Sequence, residues 1–188
     1  MSGLLWGGGT LVIWRRSPGL IRERIKPGPG ALEGVVQEQV LYVLPGALHW
    51  ALAARDRSMA VPGWLQNVGL LGYAAANALL IWAMAENRFF SSAVRLQTER
   101  GQYVVSTGPY RWIRHPGYLV GISVFLFSSL ALGSWQSLAP AAGFSAVILR
   151  RARLEDRFLL EQLPGYAEYA RRVPWRLLPG IWRLSSSG

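Results

Sequence analysis

The residues best suited to chemistry lie in one basic, aromatic stretch, residues 107–118, with the sequence TGPYRWIRHPGY. Arginine can hold a carboxylate or stabilise developing negative charge, and histidine and tyrosine both donate and accept hydrogen bonds. Proline at positions 109 and 116 fixes the backbone and favours extended geometry at the residue before it. We therefore expect a rigid, non-helical connection that presents its polar groups in one arrangement. On composition alone, the alternative is a basic interfacial loop anchored by its aromatic residues.

A second polar segment follows later, at residues 150–163, and its composition favours a helix. Arg151 and Glu155 are four residues apart, so they share one face of that helix. An ionisable cluster beside apolar spans is a functional-site hypothesis, because a glutamate can hold a ligand ammonium group and an arginine a carboxylate. The alternative is a solvated ion-pair helix at a membrane surface.

Composition excludes several classes of function. The chain has 188 residues, half of them hydrophobic, and a net charge of +10. Its arginines lie between long apolar runs and no nucleic-acid-binding motif is present, so nucleic acid is not an expected partner. There is no cysteine, and the two histidines, His49 and His115, are far apart, so no metal site is predicted. His49, next to Trp50, is expected to be a satisfied or interfacial histidine.

Long apolar runs are expected to position the two polar segments. Residues 64–85 carry no charge and form the clearest membrane helix. Residues 35–54 are a second candidate span, interrupted by a glutamate and a proline. Residues 117–149 are uncharged and would make a helix of about 50 Å, too long for one span. A break near Gly133 predicts a hairpin of two helices, at 118–132 and 137–149.

The remaining segments complete the predicted topology. Residues 4–14 are either a first span or an interfacial helix, residues 15–33 a basic loop, residues 166–172 a short helix and residues 173–182 an aromatic tail. The predicted fold class is an all-α, polytopic membrane bundle of about four to five spans, in a single domain over residues 1–188. The distribution of arginine places the polar segments 97–118 and 150–182 together on the cytosolic face of the cytoplasmic membrane.

The order of these motifs resembles a known family. Residues 97–118, a hydrophobic hairpin, Arg151 with the pair Glu155-Asp156, and then Pro164-Gly165-Tyr166 are similar to the isoprenylcysteine carboxyl methyltransferase family. That family belongs with the phospholipid methyltransferases among integral-membrane enzymes that use S-adenosylmethionine. The resemblance covers residues 86–182, which would hold the cofactor-binding and catalytic core.

The resemblance implies a role for individual residues. Arg151 would face the carboxylate of the substrate, and Glu155 would close the cofactor pocket and share in catalysis. The other residues implied to bind S-adenosylmethionine lie in the loop: Gln97, Gln102, Tyr103, Val104, Val105, Tyr110, His115, Pro116, Gly117 and Tyr118. Two positions depart from the family pattern. Asp156 stands where a second glutamate is usual, and Gln102 where a histidine is usual, so the side-chain roles of both are in question.

The implied activity is methylation of a lipophilic carboxylate that enters sideways from the lipid bilayer. Donor and acceptor partition into different phases, which explains why such an enzyme would be embedded. Alternatives are a phospholipid or amine N-methyltransferase, an NADPH-dependent membrane reductase of similar helical architecture, and a non-catalytic membrane scaffold or transporter subunit. The implied partners are the bilayer and a lipophilic acceptor, without metal.

Overall fold

The computed structural model describes residues 13, 15, 35–56, 58, 60–91 and 95–181, with the backbone alone for residues 35–42. The described residues contain five α-helices and no strand: α1 (Val35–Arg55), α2 (Gly63–Glu86), α3 (Pro116–Ala131), α4 (Leu138–Gln162) and α5 (Tyr166–Arg172). Two short 3-10 turns span Thr98–Arg100 and Gly108–Arg111. The expectations for residues 4–14 and 15–33 lie outside the described residues, except at the helical Ile13 and Arg15.

The all-α prediction is confirmed, and α2 is the membrane helix best supported by length and composition. It has 24 residues, and only 28 % of its most apolar window is buried inside the structure. Of the described helices, α2 alone is long and apolar enough to cross a bilayer, and α3 is apolar but shorter. The total of four to five spans stays a prediction.

The described chain divides into two compact units. The polar unit contains Leu79–Pro116 and the described part of Leu154–Gly188. The hairpin unit contains Val36–Ala78 and Gly117–Arg153. Helices α2 and α4 each contribute residues to both units.

The predicted hairpin is present in the hairpin unit as α3 and α4. Pro116 opens α3, where its missing N–H is no loss because the first helical N–H groups have no partner in the helix. After α3, Gly133 adopts a positive φ of 73°, and the N–H of Ser134 donates to the carbonyl of Ser129 at 3.0 Å. This reversal turns the chain toward α4.

Helix α4 is longer than the predicted second arm of the hairpin. It continues without a break from Leu138 through the charged segment to Gln162. Hydropathy changes sharply at Arg150, but leucine, arginine and glutamate all favour helix, so nothing stops the backbone there. The helix ends just before Pro164-Gly165, as the sequence predicts.

His49 is a fully buried polar side chain of the hairpin unit. It is 0 % exposed, and its Nδ1 donates to the carbonyl of Ser137 at 3.1 Å while its Nε2 lies 2.9 Å from Ser128 Oγ. Its ring also packs edge-on against Phe125 at 4.9 Å. The prediction of a satisfied histidine is confirmed. These bonds connect α1 to both arms of the hairpin.

Helices α2 and α3 approach each other most closely at two glycines. A Cβ atom at Gly69 would lie 2.5 Å from the backbone nitrogen of Ala131 and 2.8 Å from the carbonyl oxygen of Phe127. A Cβ atom at Gly72 would lie 2.4 Å from the Phe127 ring. Small residues permit this separation, which places the two backbones in direct van der Waals contact.

The Gly69→Ala variant is expected to lower the free energy of unfolding by about 1–3 kcal/mol, the usual cost of overpacking. The obstructing atoms belong to the α3 backbone, so no side chain can rotate away to make room. Thermal unfolding of the purified protein in detergent measures the change.

Gly143→Ala, on α4, is the matched control, because a Cβ atom added at this position would meet no atom within 4 Å beyond the adjacent part of its own helix. It should leave stability unchanged or raise it by about 0.5–1 kcal/mol, since alanine favours helix over glycine. Equal melting temperatures for the two variants would contradict the close approach at Gly69.

Candidate functional site

The loop that carries the basic, aromatic stretch folds onto the C-terminal segment within the polar unit. Residues Gly108–Arg111 of this stretch form a 3-10 turn and residues 116–118 form the first turn of α3, so the expectation of a non-helical connection is wrong at both places. Proline at the second position favours such a turn, because its fixed φ suits it. Seven buried residues of this unit form an apolar cluster: Ala83, Tyr110, Leu163, Tyr166, Tyr169, Ala170 and Val173.

Two glutamines that the resemblance assigns to cofactor binding, Gln97 and Gln102, form hydrogen bonds within the segment that precedes the loop. Gln97 is 1 % exposed, and its amide donates to the carbonyl of Phe89 at 2.7 Å and accepts from Arg100. The side-chain oxygen of Gln102 accepts from the backbone N–H of Gln97 at 2.7 Å. Both side chains therefore brace the lead-in itself.

In the next segment, residues 103–106, the side chains and the backbone differ in the contacts they make. Val104 and Val105 pack against the apolar cluster, and the exposed Tyr103 ring meets Phe89 edge-on at 5.1 Å. Within the described part of the chain, the backbone N–H and C=O groups of residues 103–106 make no hydrogen bond. Backbone groups of this kind are strong donors and acceptors of hydrogen bonds.

Tyr110 is buried and fully engaged with protein. Its hydroxyl accepts from Asn87 Nδ2 at 3.3 Å and donates to the carbonyl of Ala83 at 3.4 Å. Its own carbonyl accepts from the Tyr169 hydroxyl at 2.7 Å. Burial raises the pKa of Tyr110 and of Tyr169, so both remain neutral. Tyr110 thus supports the loop from inside.

The strongest polar assembly in the polar unit surrounds Asp156, which is 0 % exposed. Its carboxylate accepts five hydrogen bonds. Two come from Arg114, through Nε at 2.8 Å and Nη2 at 2.9 Å, and form a bidentate pair. The others come from His115 Nε2 at 3.1 Å, Tyr166 Oη at 2.9 Å and Arg176 Nε at 2.9 Å. We call these five residues the Asp156 cluster.

The electrostatics of the Asp156 cluster keep its carboxylate ionised. Burial alone would raise the pKa of Asp156, but the hydrogen bonds and positive charge of His115 and Arg114 outweigh burial and hold the pKa well below its usual range. A carboxylate only accepts hydrogen bonds, so His115 donates to Asp156 through Nε2.

The same cluster connects the loop to the C-terminal tail. The N–H of Arg114 donates to the carbonyl of Trp175 at 3.0 Å, and the N–H of His115 donates to that of Arg176 at 2.9 Å. Arg114 Nη1 adds a bond of 2.7 Å to the carbonyl of Val173. The two polar segments that the sequence predicts to meet are therefore in contact.

In the hairpin unit, the structure pairs Tyr118 with Arg151. Tyr118 lies in the first turn of α3 and Arg151 in α4, and Arg151 Nε donates to the Tyr118 hydroxyl at 2.8 Å. This bond holds one side of the guanidinium and sets its direction. Pro116 and Gly117 open the same helix, and their roles toward a cofactor stay predictions.

Glu155 follows Arg151 by one helical turn on the same face of α4. Its residue is half-buried in the polar unit, where its negative charge adds to the effect of burial in raising the pKa of Tyr110 and of Tyr166. A carboxylate in that position suits an ammonium group.

Asp156 shows what sequence reasoning could not resolve. The side-chain role that the sequence left open for Asp156 is to bind four residues of the polar unit. Arg114 precedes the histidine of the loop motif directly, which is a usable signal. Arg176 lies in the tail outside any motif, and no sequence signal identifies it. Among the described residues, no group of three potential metal ligands occurs.

The sequence model of the "Isoprenylcysteine carboxyl methyltransferase (ICMT) family" matches residues 68–161, half of the chain. The chain belongs to this family. The matched region begins inside α2 and contains the loop, Arg151 and the Glu155-Asp156 pair. It ends before Tyr166 and Arg176, so two members of the Asp156 cluster lie beyond it. This is a family of membrane-associated methyltransferases.

Three curated relatives are similar to part of this chain. It is 34 % identical over 115 residues to the cobalt-zinc-cadmium resistance protein CzcN of Cupriavidus metallidurans, covering 58 % of this chain and 47 % of that protein. It is 32 % identical over 116 residues to the nickel-cobalt-cadmium resistance protein NccN of Alcaligenes xylosoxydans xylosoxydans, covering 58 % and 48 %. The uncharacterized protein YpbQ of Bacillus subtilis is 37 % identical over 62 residues, or 32 % and 37 % of the two chains. The chain spans about half the length of the first two relatives.

The Asp156→Asn variant is expected to lower the free energy of unfolding by about 3–5 kcal/mol, because it leaves the charges of Arg114 and Arg176 without their shared carboxylate. The amide keeps the shape of the side chain but replaces one acceptor oxygen with a donor, so the loss reports on the charge and on the hydrogen bonds of that oxygen together. Urea unfolding in detergent at neutral pH measures it.

Glu161→Gln is the control on the same helix, where the side chain is exposed and the change should stay within about 0.5 kcal/mol. The effect of Asp156 should also depend on pH. Its folded pKa is depressed, so its contribution is present above the unfolded value of about 3.9 and is lost as pH falls toward the folded pKa. A gap between wild type and Asp156→Asn that does not narrow below about pH 4 would contradict this account.

Proposed function

We propose that the protein is an integral-membrane methyltransferase that uses S-adenosylmethionine to methylate a lipophilic carboxylate. The observation that carries the proposal is the family match over residues 68–161, which contains Arg151, Glu155 and the loop with His115. The metal-resistance names of the relatives describe those proteins and do not specify a reaction.

The groups on the loop fit the cofactor. The open backbone of residues 103–106 offers donors and acceptors of the kind that read the edge of a purine base. Tyr103 is 57 % exposed and offers both an aromatic face and a hydroxyl. Glu155 offers a carboxylate for the ammonium group of the methionine part. In this proposal Gln97, Tyr110 and His115 act by holding the loop in shape.

The Tyr118–Arg151 pair suits the acceptor. With Nε of Arg151 bonded to the Tyr118 hydroxyl, the orientation of the guanidinium plane is restricted. A planar guanidinium binds a carboxylate with two parallel hydrogen bonds, which positions the oxygen as well as attracting it. Arg151 would therefore hold the acceptor carboxylate and Tyr118 would orient Arg151.

The reaction needs little acid or base chemistry from the protein, because a carboxylate is already a nucleophile. Bound S-adenosylmethionine would supply an electrophilic methyl group, and a neutral thioether would be the leaving group. The protein residues contribute positioning of the carboxylate, exclusion of water and management of charge.

An apolar surface on the hairpin unit supports placement in a bilayer. Large hydrophobic side chains are exposed on α1 and α2, including Val43 at 64 %, Trp64 at 68 % and Leu71 at 71 %. Large apolar side chains exposed in this number favour contact with lipid or protein. Lipid contact also gives a lipophilic acceptor a route to the protein.

Two measurements on the detergent-purified protein test the activity. Saturable binding of S-adenosylmethionine, with none of NADPH, is expected; the reverse result would identify a reductase. Membranes incubated with S-adenosylmethionine labelled in the methyl group should then yield product that releases label as methanol on base hydrolysis. Label that resists base would indicate N-methylation of a phospholipid or amine, and no transfer to lipid extracts would contradict the proposal.

Arg151→Gln is expected to reduce kcat/KM for the acceptor about 100-fold, since a charged hydrogen-bonding group contributes roughly 1.5–3 kcal/mol. Cofactor affinity should change little. Tyr118→Phe should give a smaller loss, about tenfold, because it removes only the bond that orients Arg151. Initial rates at varied acceptor concentration separate the two effects.

Arg150→Gln is the matched control, because it removes the same charge from an exposed neighbouring position on α4. It should retain wild-type kinetics. If Arg150→Gln and Arg151→Gln lose activity equally, the effect is one of general charge, and Arg151 does not hold the carboxylate.

A further inference from the structure

The polar unit carries an exposed aromatic and basic surface that the proposed reaction does not use. Trp82 is 42 % exposed and Trp112 is 52 % exposed, and their rings meet edge-on with centroids 5.7 Å apart. The guanidinium carbon of Arg111 lies 5.5 Å from the centroid of the Trp112 ring. We call these three residues the aromatic ledge.

The aromatic ledge is held in shape by a close approach of the loop to α2. Gly108 has a φ of 55°, and a Cβ atom there would lie 2.4 Å from Glu86 Cγ and 3.0 Å from Trp82 Nε1. Thr107 Oγ1 donates to Glu86 Oε2 at 2.8 Å. These contacts dock the start of the 3-10 turn on the last turns of α2, so Arg111 and Trp112 are fixed beside Trp82.

The position of Trp82 on α2 relates the aromatic ledge to a bilayer. Trp64 lies in the first turn of that helix and is 68 % exposed, and Trp82 lies near its end. Their 18-residue spacing corresponds to about 27 Å of helix, close to the roughly 30 Å thickness of a hydrocarbon core. Tryptophans at both ends of an apolar helix are typical of the two membrane interfaces.

Charge indicates which interface component meets the aromatic ledge. Arg111 is exposed, and within the part of the chain that the structure describes its guanidinium has no carboxylate partner. A guanidinium binds phosphate oxygens through two parallel hydrogen bonds, and the neighbouring indole rings suit the amphipathic headgroup region. The complement to this surface is a layer of phosphate groups with net negative charge.

We propose that the aromatic ledge binds the headgroups of anionic phospholipids at the membrane surface. Trp82 and Trp112 seat the loop at headgroup depth, and Arg111 selects lipids whose headgroup carries net negative charge. This inference rests on the membrane placement in the proposed function and adds the lipid class and the residues that recognise it. It is independent of which acceptor is methylated.

Fluorine NMR of 5-fluorotryptophan-labelled protein in nanodiscs tests the proposal. The Trp82→Phe and Trp112→Phe variants assign the two resonances among those of the nine tryptophans. The Trp112 resonance is expected to shift and saturate as phosphatidylglycerol replaces phosphatidylcholine. In Arg111→Gln the phosphatidylglycerol fraction needed for half the shift should rise about fivefold, the usual effect of one arginine at an anionic surface.

Arg171→Gln is the matched control, since it removes one exposed arginine from α5, away from the aromatic ledge in sequence. It should leave the titration unchanged. A Trp112 resonance insensitive to phosphatidylglycerol, or an equal effect of Arg111→Gln and Arg171→Gln, overturns the proposal.

A second measurement distinguishes failure of headgroup binding by the aromatic ledge from failure of the proposed placement in a membrane. Lipids spin-labelled near the headgroup should broaden the resonances of Trp64 and Trp82 in nanodiscs. Broadening of both, together with an insensitive Trp112, would overturn headgroup selection alone. Broadening of neither would overturn the membrane placement and this proposal with it.

Discussion

The carboxylate of Asp156 meets two guanidinium groups, an imidazole and a phenol in a place where water does not reach. Removing such charges from water is costly, and the arrangement is stable only because every lone pair direction has a donor. Arg114 and His115 contribute their backbone N–H groups to the tail as well as their side chains to Asp156. The loop, α4 and the tail are therefore mutually dependent, and the loop conformation cannot persist without the other two.

The buried polar side chains of the hairpin unit that the structure describes also have hydrogen-bond partners. Among the side chains that the structure describes, its interior holds no charged residue. Its buried histidine is bonded to Ser128 and Ser137, and Asn77 is bonded to the carbonyl of Tyr73 at 2.8 Å. Helices α2 and α3 then approach to backbone contact at Gly69. In lipid, where association of apolar helices gains little from the hydrophobic effect, close packing and internal hydrogen bonds are the forces that remain.

Much of the helical architecture could be predicted because it depends on local signals. An uncharged run predicts α2, Gly133 predicts the turn of the hairpin, and Pro164-Gly165 predicts the end of α4 and the start of α5. The unbroken length of α4 was harder to predict, because hydropathy changes at Arg150 while helix propensity does not. Composition and length alone also do not fix how many helices cross a membrane.

The site was less predictable because its polar residues have several possible partners. Polar residues in the loop were expected to face a ligand, yet Gln97, Tyr110 and His115 are occupied by neighbouring protein groups. The partner of Asp156 in the tail, Arg176, is set by tertiary contact and has no local signature. Conversely, the open backbone at residues 103–106 has no side-chain signal at all, since any sequence could present it.

The bonds that hold the polar unit together join residues far apart along the chain. Arg114 and Asp156 are separated by 42 residues, and Tyr110 and Tyr169 by 59. Long loops must close before such contacts form, which delays them relative to local helices. During synthesis, the loop therefore cannot reach its final conformation until Arg176 has emerged from the ribosome. The Arg114 side chain stays solvated until then. Helix α2 and the hairpin are synthesised earlier, so the order of translation allows these helices to pack before the loop takes its final shape.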